Sequence, residues 1–209
     1  MPILNNEITI FSGHYPLTTQ YAKLTRKIFE EYTQLHGYNF FYDEEEPIEL
    51  NMNHHHFRRC NIIQKANLQF PNTKWFIWVD SDVYVNNIKI DIQSVINLDD
   101  NKILYHLFHE KPWKFPINTG VKFINKSALK YEAKIYELRN KVEWPFEQKA
   151  MIDYILPRIP KKYIIHDPYI LNCIIKLYPK KIKNALFVHM CGTSEEERNN
   201  IMINLQNKQ

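Results

Sequence analysis

Two carboxylates one residue apart, Asp80 and Asp82, follow directly on the apolar run Trp75-Phe76-Ile77-Trp78-Val79. In an extended segment residues i and i+2 share a face. Both acids therefore stand together at the carboxyl end of a buried strand, where open α/β sheets place their ligands. Side by side they repel one another unless a cation lies between them. A divalent ion held by one or two carboxylates together with substrate phosphates is a common Mg²⁺ or Mn²⁺ arrangement. The competing account is a polar turn after a core strand.

Other segments carry weaker signals of the same kind. Ser12-Gly13-His14-Tyr15 lies between a strand and a helix. Backbone N–H groups at a helix start can receive a phosphate, and His14 or Tyr15 could stack on a base; alternatively the glycine serves an ordinary turn. Asn118-Thr119-Gly120 interrupts an apolar stretch, and a glycine there marks either a ligand's close approach or a bulge. Glu147-Gln148 opens a helix, where a glutamate suits the helix dipole. His189-Met190-Cys191-Gly192 puts a histidine at the end of an apolar strand. It is a ligand if the fold carries it to Asp82 and a structural group otherwise. His54-His55-His56 cannot all chelate one ion from regular structure, because consecutive side chains diverge. The triplet is expected to be a polar lead-in to the helix bearing Arg58 and Arg59.

The elements that must position these residues alternate between strand and helix. Strands are expected at Glu7–Ser12, Tyr38–Tyr42, Lys74–Val79, Lys102–Phe108, Asn118–Asn125, Tyr163–His166 and Ala185–His189. Helical spacing runs from Pro16 to His36, stopped by Gly37, and from Phe57 to Phe70, closed by Pro71. Further helices are expected at Ser127–Lys141, Glu147–Leu156 and Ser194–Gln206, and the acidic stretch Asp43–Asn53 reads as a surface loop. This alternation fits one three-layer α/β domain over residues 1–209.

Composition narrows the function classes. The chain has 209 residues, 44% hydrophobic and 24% charged, enough for a core and incompatible with intrinsic disorder. Its formal charge of +4 is carried by scattered lysines, which suits an anionic small substrate and gives no nucleic-acid patch. Three cysteines, Cys60, Cys173 and Cys191, form no C-x-x-C pair. A disulfide framework and a zinc site are therefore not expected, and a reducing, cytoplasmic location is. No apolar run approaches a membrane span. Only four glycines occur, against an average usage of about 7%. Gly37 ends a helix, and the other three fall in the segments above.

Taken in order, these segments resemble a GT-A-fold glycosyltransferase, and most nearly the galactosyl/mannosyl/xylosyltransferase family of fungi, plants and large DNA viruses, chlorella viruses included. The resemblance rests on Ser12-Gly13, on Phe57-Arg58-Arg59 followed by Trp75 to Asp82, on Asn118-Thr119-Gly120, on Glu147-Gln148 and on His189-Met190-Cys191-Gly192. It implies a Rossmann-like α/β/α sandwich with a mostly parallel sheet. It also implies transfer of a hexose or deoxyhexose from a nucleotide-diphosphate donor, a UDP-sugar, to a glycan or glycoprotein hydroxyl with retention of configuration. In such enzymes Asp80, Asp82 and His189 would hold Mn²⁺ or Mg²⁺. Ser12, Gly13, His14, Tyr15, Ser81 and Asp80 would meet the nucleotide. Asn118, Thr119 and Gly120 would line the sugar pocket, Gly192 would meet the diphosphate, and Glu147 and Gln148 would face the reacting carbon. An inverting reaction would instead need a carboxylate base, with Glu147 first in line.

Two departures from the family pattern stand out. Phe57-Arg58-Arg59 replaces Trp-x-Lys, and Thr193-Ser194 stands where a lysine usually follows the late glycine. Arg59 is the expected replacement cation. The N-terminal membrane anchor of eukaryotic members is not seen, which fits a soluble viral or bacterial enzyme or a catalytic domain of a longer protein. Two other readings compete. One is a non-catalytic sugar- or nucleotide-binding domain on this fold; the other is a metal-dependent phosphotransferase or nuclease using Asp80 and Asp82.

Overall fold

The computed structural model describes residues 2–46, 55–113 and 115–207. The first half holds β1 (Ile8–Gly13), α1 (Gln20–His36), β2 (Asn39–Asp43), α2 (Arg58–Gln69), β3 (Trp75–Val79), β4 (Val83–Val85) and β5 (Tyr105–Phe108). The second holds β6 (Asn118–Asn125), α3 (Leu129–Glu137), α4 (Glu147–Ala150), β7 (Tyr163–His166), β8 (Cys173–Ile174), β9 (Phe187–His189) and α5 (Glu195–Gln206).

Six strands form the central sheet in the order β2-β1-β3-β6-β5-β7. Five run in one direction, and β6 runs against both its neighbours. This is the mostly parallel sheet expected, and the one reversed strand matters for the site. Because β6 enters from the carboxyl edge, its first residues, Asn118-Thr119-Gly120, lie beside the end of β3, with Asp80 N donating to the Gly120 carbonyl at 2.7 Å. All five residues of β3 and all eight of β6 are buried, as strands covered on both faces must be.

The two faces hold separate cores. Trp75, Ile77 and Val79 pack with Ile28, Phe29 and Tyr32 of α1 and Met202 and Leu205 of α5. Phe76 and Trp78 pack with Cys60 and Ile63 of α2, Ile135 of α3 and Ala150 of α4. The first layer also contains a small sheet, β4-β9-β8, with β4 antiparallel and β8 parallel to β9. Neither β4 nor β8 is foreseen from the sequence, because strands of three and two residues carry no readable period.

Boundaries shift where local chemistry overrides periodicity. α1 begins at Gln20, four residues after Pro16, and ends at Gly37, whose φ of +73° provides the left-handed cap. β5 begins at Tyr105 and β9 at Phe187. The helix expected over Ser127–Lys141 is a 3-10 turn followed by the shorter α3. The one expected over Glu147–Leu156 is α4 continued by a wide π turn at Met151–Ile155. α5 starts at a capping box, in which Glu197 N donates to Ser194 Oγ at 3.2 Å and Ser194 N to Glu197 Oε2 at 2.8 Å. Of the loop expected at Asp43–Asn53, residues 47–53 lie outside the described residues, as does His54. All three cysteines are free, and no helix among the described residues is long and apolar enough to cross a membrane.

Candidate functional site

β3 delivers Asp80 and Asp82 at the carboxyl edge, and the chain then turns at once into β4. There Val83 pairs with His189 of β9, and Met190 N donates to the Asp82 carbonyl at 3.0 Å. The pairing carries His189 Nε2 to 3.2 Å from Asp82 Oδ1 and 3.8 Å from Asp80 Oδ2. One ligand atom from each of the three residues lies within 4.8 Å of the others. The other face of the imidazole is fixed too. Asn172 Nδ2 donates to Asn118 Oδ1 at 3.1 Å, so its Oδ1, 3.0 Å from His189 Nδ1, accepts the Nδ1 proton. That leaves Nε2 as the atom facing the carboxylates, the tautomer a metal ligand needs.

Charges support the arrangement. Burial would lower the His189 pKa, but Asp82 and Asp80 raise it above its ordinary value. Burial would raise Asp82, yet His189 and Arg198 hold it below the usual carboxylate range. Arg198 Nε lies 3.3 Å from Asp82 Oδ2. Gly120 completes the enclosure: a Cβ there would stand 2.1 Å from His189 Cε1. The close approach that its glycine marks is therefore made by this ring.

A buried chain of charges runs from the site into the second core. Arg59 of α2 lies 3.1 Å from Asp80 Oδ1 and 3.5 Å from Glu147 Oε2, donates to the Thr119 carbonyl at 2.6 Å and covers the Trp78 ring at 5.0 Å. Glu147 Oε1 accepts from Lys122 at 2.5 Å, and Lys122 also reaches Glu132 Oε2 at 2.9 Å. Lys122 and Glu132 are fully buried. Burial would raise the Glu147 pKa, but Lys122 and Arg59 hold it down; Glu132 and Glu147 in turn raise Lys122 against its own burial.

Beside the triad opens a cavity of about 640 Å³, reached by Asp80 and His189. Its polar wall includes Glu110, Asn118 and Gln148. Gln148 Nε2 donates to Glu110 Oε2 at 3.1 Å and Asn118 Nδ2 to Glu110 Oε1 at 2.9 Å, while Thr119 N donates to Gln148 Oε1 at 3.3 Å. Burial pushes the Glu110 carboxyl up.

The expected site residues fall into two groups. Arg59, Asp80, Asn118, Thr119, Gly120, Glu147, Gln148, His189 and Gly192 line this cavity, with Asp82 directly behind it. The N-terminal segment does not line it. Ser12 is buried and donates to the Val79 carbonyl at 2.8 Å, and a Cβ on Gly13 would stand 2.8 Å from the Asp43 carbonyl. Both are tied to neighbouring strands. His14 Nδ1 lies 2.9 Å from Ser81 Oγ, Tyr15 is exposed, and none of the three lines the cavity. His56 lines the cavity stacked on Phe146, with ring centroids 4.7 Å apart.

Four contributors escape a reading of the sequence: Glu110, Lys122, Asn172 and Arg198. Glu110 follows a strand end by two residues, the same signal that marks Asp80 and Asp82. Lys122 is the only charge in an eight-residue buried strand. Asn172 and Arg198 have no sequence signal, since only tertiary contacts bring them in.

The sequence model of the galactosyl transferase GMA12/MNN10 family matches residues 11–144. A solved glycosyltransferase involved in glycosylation of the major capsid of PBCV-1 is 55% identical, with a TM-score of 0.92 over 94% of this chain and 98% of that one. The galactosyltransferase LgtC, solved with donor and acceptor sugar analogues, shares the fold at 12% identity and TM-score 0.56, over 94% of this chain and 95% of that one. GlyE of Streptococcus pneumoniae does so at 14% identity and TM-score 0.57, over 98% and 64%. No curated protein sequence matches. The chain belongs to the galactosyl transferase GMA12/MNN10 family, is a glycosyltransferase, and has the GT-A architecture.

Lys122→Met takes the cation away from Glu132 and leaves Glu147 with Arg59 alone, and should cost about 3–5 kcal/mol of stability in urea denaturation. A loss under about 1 kcal/mol would mean that these buried ion pairs do not hold the second core in place. Gly120→Ala should displace the His189 ring and weaken Mn²⁺ binding in calorimetry while the far-UV dichroism stays native. Unchanged Mn²⁺ affinity would remove His189 from the ligand set.

Proposed function

We propose that this glycosyltransferase moves a hexosyl or deoxyhexosyl group from a UDP-sugar to a hydroxyl of a glycan or glycoprotein, with a divalent ion on Asp80, Asp82 and His189 and with retention of configuration. The observation that carries this reading is the triad itself: three ligand atoms within 4.8 Å of one another, at the edge of a cavity whose wall bears acid and amide side chains. Two carboxylate oxygens and one imidazole nitrogen form a donor set that suits Mn²⁺, with Mg²⁺ the oxygen-preferring alternative. The capsid-glycosylating relative supports a glycoprotein or glycan acceptor.

When bound, such an ion neutralises charge developing on the leaving diphosphate, as Lewis-acid and electrostatic catalysis require. The chain's own residues do the rest. Asn172 holds the Nδ1 proton of His189, keeping Nε2 aimed at Asp82. His14 and Ser81, hydrogen-bonded to each other next to the acids in the chain, are assigned with Tyr15 to the nucleotide; Ser12 and Gly13 shape the strand end. Asn118, Thr119, Gly120 and Glu110 orient sugar hydroxyls, and Gly192 lets the backbone pass close to the diphosphate.

Gln148 contributes an amide to the reacting centre, its oxygen steadied by Thr119 and its nitrogen by Glu110. Glu147 is 1% exposed and clamped between Lys122 and Arg59. That setting suits the positioning of Arg59 against Asp80 and gives each carboxylate oxygen a cationic partner, which favours retention over base-assisted inversion. Arg59 and Arg198, both on the acids, supply cationic charge in place of the family's late lysine. Residues 1–209 are read as one catalytic domain, alone or within a longer polypeptide, and the free cysteines fit a reducing cytoplasm.

A panel of UDP- and GDP-sugars, read by thermal shift with and without Mn²⁺, tests the donor class. Stabilisation by UDP-sugars only when Mn²⁺ is present is expected; binding without turnover on a broad acceptor panel would reduce the chain to a sugar-nucleotide-binding domain. Asp82→Ala should abolish Mn²⁺-dependent UDP-sugar binding in calorimetry, and retained affinity would take the metal away from these acids. Asn172→Ala should weaken Mn²⁺ affinity by about 10–100-fold; a titration identical to wild type would break the link from Asn172 to the metal.

A further inference from the structure

Besides its polar residues, the cavity is lined by aromatic ones. Trp113 and Phe115 come from the loop before β6, and Trp144 and Phe146 from the segment leading into α4. Trp144 is 66% exposed and Trp113 38%. Large apolar surface left in water at the rim of a cavity marks a binding surface. The two loops touch, with Phe115 set edge-on to Trp144 at 5.1 Å between ring centroids. Trp113 stands at the metal end, where a Cβ on Gly192 would lie 3.6 Å from its ring.

The backbone ties this wall to the transfer site. Phe146 has φ +54° and ψ −111°, a conformation a bulky residue holds only when its surroundings impose it. At this residue the chain turns from the exposed Trp144 to the buried Glu147 and Gln148. One strained residue thus fixes the outer aromatic surface relative to the inner polar groups.

We propose that Trp144 and Trp113 form the acceptor subsite, stacking on the apolar C–H face of a pyranose ring. This rests on the transferase reading above. A pyranose is two-sided: its ring face is apolar and its edge is lined with hydroxyls. The cavity lining offers both kinds of surface, the indoles of Trp113 and Trp144 and the polar groups of Glu110, Asn118 and Gln148. A nucleotide base is the other flat group in the reaction, but His14 and Ser81, assigned to it above, do not line this cavity.

The test uses the full chain with UDP and Mn²⁺ present, and methyl pyranosides of glucose, galactose, mannose and xylose as probes in saturation-transfer difference NMR. Wild type should saturate the ring C–H protons of at least one probe. Trp144→Ala should weaken that probe's affinity about tenfold, the loss of roughly one stacking contact of about 1.4 kcal/mol, and Trp144→Phe should restore most of it. UDP affinity in calorimetry and UDP-sugar hydrolysis without acceptor should not change. No saturation of any probe on wild type, or equal saturation on Trp144→Ala, overturns the subsite. A fall in UDP affinity overturns it too, because the wall would then hold the base. Failure of the transferase reading would look different: no UDP-sugar hydrolysis by wild type, whatever the probes do.

Discussion

The antiparallel ladder in which Val83 faces His189 is the contact on which the site depends. It begins one residue after Asp82, so the backbone that carries the second acid is hydrogen-bonded to the strand that carries the histidine. No long side chain has to reach across open space. Thr25 of α1 locks the same turn from the other side, its hydroxyl donating to the Ser81 carbonyl at 2.8 Å. Arg198 of α5 closes on Asp82 from a third direction. With the ladder in place, the ring of His189 needs room, which Gly120 leaves, and a fixed tautomer, which Asn172 provides. Reversing β6 is what brings Gly120 and Asn118 to that edge of the sheet.

The second determinant is electrostatic. Asp80, Glu147 and Glu132 form a line of acids interleaved with Arg59 and Lys122, most of it shielded from water. Buried ion pairs contribute little net stability over apolar packing, but breaking one is costly. Their value here is positional. Lys122 cannot leave without stranding Glu147, and Glu147 holds Arg59 against Asp80. A lysine in the middle of an otherwise apolar strand therefore acts at the cavity, although its own ammonium never reaches it. The acids outnumber the cations along this line, which leaves the edge facing the cavity suited to a further positive charge.

Much of this architecture is legible in the amino-acid sequence. The buried strand ending in Asp80-Ser81-Asp82, the helical stripe closed by Gly37 and the apolar strand starting at Asn118 all follow from periodicity and punctuation, because each is long enough to show its period. Of the three glycines the scarcity singles out, Gly120 and Gly192 line the cavity and Gly13 does not. Gly13 and Gly120 make room for protein, namely the Asp43 carbonyl and the His189 ring. Ser12 likewise reads as a ligand residue in sequence and is a strand-to-strand tie in the fold.

Residue order alone supplies the inventory: an α/β alternation, two acids at a strand end, a late histidine and the succession of segments that resembles a glycosyltransferase. These are local properties, set by side-chain period and residue type. Which of them meet depends on long-range packing. Asp82 and His189 are 107 positions apart in sequence, and their contact follows from the pairing of β9 with β4, a three-residue strand too short to leave a pattern. Asn172, Arg198 and the pairing of Lys122 with Glu132 and Glu147 depend on the same long-range packing, and no local rule of the chain encodes it.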